Sequence, residues 1–198
     1  MRHRTCSVVL ALLFGFSSVA ALAETTQLVS WSEDLVMSWG MYTASVPSNA
    51  NPQQPAQPLL DLKWDAPTKA VSCTGGYLAT PQFVVVSNTL NPRFSWARLG
   101  TVTSADLRHE EYHLRLNEVY RRKLDAALRP LQVVDRNPYT AMDLLRTQLE
   151  QAAAPILSQA KSIQNQYESE TGFGRDLAAQ QSWEAQIDAW LLNPASAP

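Results

Sequence analysis

Apolar positions along the chain change their rhythm near Gly100. Before it, short apolar or β-prone runs at Leu35–Val46, Leu59–Trp64, Ala70–Cys73, Phe83–Ser87 and Phe94–Ala97 are separated by Pro, Asn and Gly. Such spacing predicts strands joined by turns. The segment Pro47–Pro58 is polar and proline-rich, and it reads as a mobile surface loop that cannot join a ladder. After Gly100 the apolar residues recur at helical spacing. Thr103 or Ser104 can cap a helix over about Ala105–Leu128, with Leu107, Leu114, Val119, Leu124 and Leu128 among its apolar positions and Pro130 close behind. Asn137 with Pro138 opens a second helix that carries Met142, Leu145, Leu149, Ile156 and Ile163. Pro155 is expected to kink or split it. A third helix spans about Asp176–Leu191, with Trp183, Ile187, Trp190 and Leu191 as its stripe, and the stretch Tyr167–Gly174 before it reads as a glycine-marked loop. The pattern predicts an α+β domain in which a small antiparallel sheet packs on the first helix and two further helices follow.

The N-terminus changes this picture by removing residues from it. Arg2 and Arg4, the apolar run Val8–Phe16 and the small-residue ending Ala21-Leu22-Ala23 have the order of a secretory signal peptide. Cleavage is expected after Ala23, giving a periplasmic or secreted domain of residues 24–198. The apolar run is too short for a bilayer, which needs about 20 residues, and no transmembrane segment is expected in the mature chain. Two of the sixteen basic residues leave with the signal and none of the eighteen acidic ones, so the mature net charge is −4. Without a basic run or stripe, nucleic acid is an unsuitable partner. Cys73 is the one cysteine left after cleavage, so an internal disulfide is excluded. It and the six tryptophans read as packing residues.

The one run with definite chemical content is His109-Glu110-Glu111-Tyr112-His113. On a helix, positions four apart share a face at roughly 5 to 6 Å between Cβ atoms, so the imidazoles of His109 and His113 can converge on one metal ion. Glu110 lies about 100° around the helix, placed to act as a general base without ligating. A charged, solvated helix face is the competing reading, and Arg108, Arg115, Arg121 and Arg122 suit it. Against that reading, the mature chain holds only these two histidines.

The run Leu107–Leu124, Ser95-Trp96 before it, and the later Tyr167-Glu-Ser-Glu-Thr-Gly-Phe-Gly174 with Gln181 and Trp183 resemble the DUF922 family of secreted bacterial proteins, predicted to be zinc-dependent proteases. The resemblance covers roughly Val84 to Trp190. It implies a zincin-like fold, zinc on His109 and His113, and catalysis by Glu110 on a peptide or protein substrate. One departure bears on the ligands: the family's loop ends in Thr-x-His-Gly, and here Thr171-Gly172-Phe173-Gly174 puts a phenylalanine where a third imidazole is expected. A third protein ligand must then be a carboxylate or Cys73. Glu170 is the first candidate, followed by Glu168 and Asp143; Tyr167 is a candidate hydrogen-bond donor to a developing oxyanion, or a packing residue. Two other readings remain open. The chain can be a non-catalytic relative that acts as an envelope interaction protein, or a zinc-binding module without hydrolysis.

Overall fold

The computed structural model describes residues 27–198, and the signal-peptide segment lies outside them. The chain folds as α+β, three antiparallel sheets with three long helices. In chain order the strands before the first helix are β1 (Val29–Ser30), β2 (Ala56–Gln57), β3 (Leu60–Asp65), β4 (Thr68–Cys73), β5 (Gly76–Pro81), β6 (Val85–Leu90) and β7 (Trp96–Ala97). Helix α1 spans Ser104–Leu128, β8 spans Val133–Asp135, and α2 (Pro138–Glu170) and α3 (Leu177–Leu192) complete the fold. One small sheet has the order β1-β6-β3, a second pairs β2 with β7, and the third has the order β4-β5-β8. No helix among the described residues is long and apolar enough to cross a membrane.

Local chemistry explains most of these bounds. Thr103 accepts from the Asp106 amide while the Asp106 carboxylate accepts from the Thr103 amide, a reciprocal cap that fixes where α1 begins. Asn137 caps α2 through the amides of Tyr139 and Thr140, and Asp176 caps α3 through those of Ala178 and Ala179. The β4–β5 hairpin turns at Thr74-Gly75, where Gly75 takes φ 92°. Gly76 begins β5 so close to β8 that a Cβ there would lie 2.3 Å from the Asp135 carbonyl oxygen.

Five expectations need correcting. The run Leu35–Val46 is not a strand: a single 3-10 turn at Trp39–Met41 and one bridge from Ala44 to Trp96 are its only regular structure. Its side chains are used for packing instead, with Met37 and Tyr42 buried against Ala56, Leu90, Ala97 and Leu114. The proline-rich segment does join a ladder at its end, where Ala56-Gln57 pairs with Trp96-Ala97 and Pro55 and Ala56 are buried. Helix α2 runs unbroken through Pro155, whose ring faces solvent, and it continues through Glu170, so Tyr167–Glu170 is helix and not loop. Cys73 is half-buried at the β4–β5 turn, not enclosed.

Helix α1 is the centre of the molecule. Toward α2 and α3 it buries Leu116, Val119 and Tyr120 among Ile163, Tyr167, Trp183, Ile187 and Trp190. Further along, Leu124 and Leu128 meet Leu145, Leu149, Val84 and Val86. On its remaining side Leu114 meets the third cluster. A helix so enclosed should be apolar nearly all round, yet His109, Glu110, His113, Asn117 and Glu118 are buried in it. Buried polar groups must find partners or cost stability, and where these groups find them defines the site.

Candidate metal centre

His109 and His113 stand one turn apart on α1, and Glu168 reaches them from the last turn of α2. The Glu168 Oε2 atom lies 2.9 Å from each Nε2, and the two Nε2 atoms are 3.2 Å apart. Among the described residues these three form a group that could hold a metal ion. His109 is enclosed, and Glu168 is the most open of the three.

The far side of each ring shows what the near side must be. Gln164 donates from Nε2 to the His113 carbonyl oxygen and to Asn117 Oδ1, which turns its Oε1 toward His113 Nδ1. Gln180 donates from Nε2 to the Tyr167 hydroxyl and to Glu184 Oε1, which turns its Oε1 toward His109 Nδ1, at 3.0 Å. Both Nδ1 atoms therefore carry hydrogen and donate. In neutral rings both Nε2 atoms then carry lone pairs, and these face each other and a carboxylate oxygen. Three electron-pair donors within hydrogen-bond distance of one another repel unless a proton or a metal cation sits among them. A fixed tautomer backed by a side-chain oxygen is the usual support of a metal-binding histidine, and two imidazoles with one carboxylate form a ligand set known for catalytic zinc. The residues present fit a divalent cation.

Charges agree with this geometry. Burial alone would raise the Glu168 carboxyl, but the bonds and charges of His109 and His113 overcome it and hold it down at about 2. Burial would lower His113, but the bond to Glu168, the charges of Glu110 and Glu168, and Gln164 outweigh it and raise it. Glu110 is pushed up to about 8, chiefly by burial. Its Oε2 is enclosed without a hydrogen-bond partner, as is the hydroxyl of Tyr42, which burial and the charge of Glu110 push upward.

The other expected residues sit as follows. Glu170 is not in the group: its carboxylate accepts from Trp183 Nε1 at 2.9 Å and from Gln166 Nε2 at 2.8 Å. Two residues apart on a helix point about 200° away from each other, so only one of Glu168 and Glu170 can face α1. Asp143 lies at the opposite end of α2, exposed and paired with Arg146. Tyr167 is fully buried; its ring stacks on His109 at 4.7 Å and its hydroxyl donates to the His109 carbonyl oxygen. It supports the metal ligand and is not turned toward a cleft. Gln164, Gln180, Tyr42 and Gln54, whose Nε2 donates to Glu168 Oε1 at 3.0 Å, were not marked by the sequence.

Gly174 also belongs to this site. Gly172, Phe173 and Gly174 take positive φ in succession, at 56°, 61° and 77°, and carry the chain back across the end of α2. A Cβ on Gly174 would lie 2.8 Å from His109 Cβ, so the loop packs on the ring only because that side chain is absent. Gly174→Ala should therefore lower stability by roughly 2–4 kcal/mol, combining the left-handed penalty with overpacking. Gly172→Ala meets nothing within 4 Å and should cost only the conformational part, about 1–2 kcal/mol. Urea unfolding of the two variants measures the difference; equal losses would contradict the packing argument.

Compared with known proteins, the chain matches no family model, and no curated protein or solved structure matches it.

Proposed function

We propose that the chain is an exported zinc-dependent peptidase, a divergent relative of the DUF922 proteins it resembles. The observation that carries this reading is the convergence of the His109, His113 and Glu168 lone pairs on one point, with Glu110 beside it on the same helix. What favoured a non-catalytic relative was the missing third imidazole at Phe173. Glu168 offers a donor in its place, from a different element and with a negative charge.

Zinc held by His109, His113 and Glu168 would supply an acidified water and a Lewis-acid contact to a peptide carbonyl. The chain's own residues do the rest. Gln164 and Gln180 accept from the two Nδ1–H groups and so select the tautomer whose Nε2 faces the site. Glu110, on the same helix and next to His109, is placed to take a proton from water and release it to a leaving amine. Substrate would approach by a cleft of about 270 Å³ lined by His113, Glu168, Gln54 and the chain from Gln57 to Leu60.

The test uses the exported protein, whose intact mass should place its first residue at Glu24. It should bind one zinc per chain by calorimetry, cleave a casein or mixed-peptide substrate, and lose both properties in His109→Ala and His113→Ala. Stoichiometric zinc in the double His variant would place the metal elsewhere. Zinc without cleavage of any peptide would leave a binding module.

A further inference from the structure

Gln54 lines two cavities. One is the cleft at His113 and Glu168; the other, about 820 Å³, lies between the proline-rich segment and the start of α1 and is lined by Arg98, Thr101, Asp106 and Arg175 among others. The Gln54 side chain, bonded to Glu168 Oε1, stands between them. Its backbone is held independently, because Arg98 donates from Nε to the Gln54 carbonyl oxygen and from Nη2 to that of Asn51.

The second cavity is electropositive. Arg98 and Arg175 form no ion pair among the described residues. The single carboxylate in the lining, Asp106, accepts from the Thr103 amide and hydroxyl at 2.7 Å each and so answers the amide end of α1. The remaining walls are largely proline, alanine and valine, from Val46 to Pro55. The Arg175 guanidinium, exposed and without a carboxylate partner, suits a peptide chain that carries a carboxylate, which arginine binds in two-point fashion, and Arg98, whose Nε and Nη2 are taken by backbone carbonyls, adds positive charge beside it. Arg175 directly follows Gly174, whose left-handed backbone packs against His109. The same turn thus ties the cationic wall to the metal ligands.

We propose that the two cavities form one substrate channel and that the site selects acidic peptides, with an Asp or Glu side chain seated on Arg175, in the field of Arg98, a few residues from the bond at the metal centre. This rests on the peptidase reading for its purpose but not for its test, which reads binding alone. The probes are the blocked hexapeptide acetyl-Ala-Ala-Ala-Asp-Ala-Ala-amide and its Asn and Lys counterparts, titrated calorimetrically into mature zinc-loaded Glu110→Gln protein and into the metal-free wild type. The Asp peptide should bind about 10-fold more tightly than the Asn peptide, a difference of about 1.4 kcal/mol. Its advantage should shrink as salt rises. Arg175→Glu, at an exposed position where folding is unaffected, should invert the order in favour of the Lys peptide. Equal affinities in wild type, no binding of the Asp peptide at millimolar concentration, or an acidic preference that survives Arg175→Glu would each overturn the proposal. A preference that holds while the wild-type protein cleaves nothing would sink the peptidase reading and leave the acidic channel standing.

Discussion

Glu168→Ala should cut zinc affinity by about 10³-fold, while Glu170→Ala should leave it within a few-fold of wild type. Zinc sites with three or four protein ligands bind with apparent free energies of roughly 10–16 kcal/mol, so one ligand accounts for about 4 kcal/mol. The carboxylate oxygen of Glu168 sits 2.9 Å from both Nε2 atoms, whereas that of Glu170 is engaged with Trp183 and Gln166. Loss of Glu168 also leaves two imidazoles alone, and two ligands rarely hold zinc against water. Removing a supporting residue is a smaller change: Gln164→Ala, which frees the His113 tautomer, should cost about 10–100-fold. Competitive titration against a chromogenic chelator separates the three classes. Tight binding by Glu168→Ala, or loss of binding in Glu170→Ala, would reverse the assignment.

Glu110→Gln should keep zinc and lower peptide cleavage by about 10²–10⁴-fold, the usual contribution of a general base. The amide fills the same space and cannot take the proton. A second effect follows from burial in the metal-free protein. The Glu110 carboxyl rises from 4.5 to about 8 in the folded state, so folding favours its neutral form. That stability is present below the unfolded value of 4.5 and is lost as pH rises through about 8, where a buried carboxylate must ionise. Glutamine never ionises. Metal-free Glu110→Gln should therefore be more stable than wild type by a margin that widens across this range, measured by urea unfolding at several pH values. A constant margin would mean that Glu110 keeps its solution acidity.

The helices were readable because their signals are local. Thr103, Asn137 and Asp176 each cap the amides that follow, and the apolar spacing after Gly100 needed no knowledge of partners. The β-rich part was less readable, because the apolar run at Leu35–Val46 serves a packing cluster without a ladder and Ala56-Gln57 gains its ladder from Trp96-Ala97, forty residues away. His109, Glu110 and His113 were marked by spacing alone. Glu168 over Glu170 was not, since the choice depends on α2 continuing through Glu170 and on which face of it meets α1. A helix phase carried forward from Ile163 and Tyr167, both buried, places Glu170 about 40° and Glu168 about 120° from their face, so spacing alone pointed to the wrong carboxylate. The glutamines had no signal, because an amide that fixes a tautomer looks in sequence like any other surface residue.

Pro155 divides α2 into two halves with different partners. Proline has no amide hydrogen, so the ladder of α2 is one bond short at Gln151, an exposed position where water can answer the carbonyl. The half of α2 before it is anchored by Leu145 and Leu149, and the half after it by Ile163 and Tyr167, in separate clusters. Glu168 rides on the second half. An opening that begins at Pro155 would free Glu168 only by also lifting Ala160, Ile163 and Tyr167 from their cluster, while Leu145 and Leu149 could stay packed. On the zinc reading, release of the ion to solution would then follow the stability of that half of α2 and not that of the whole chain.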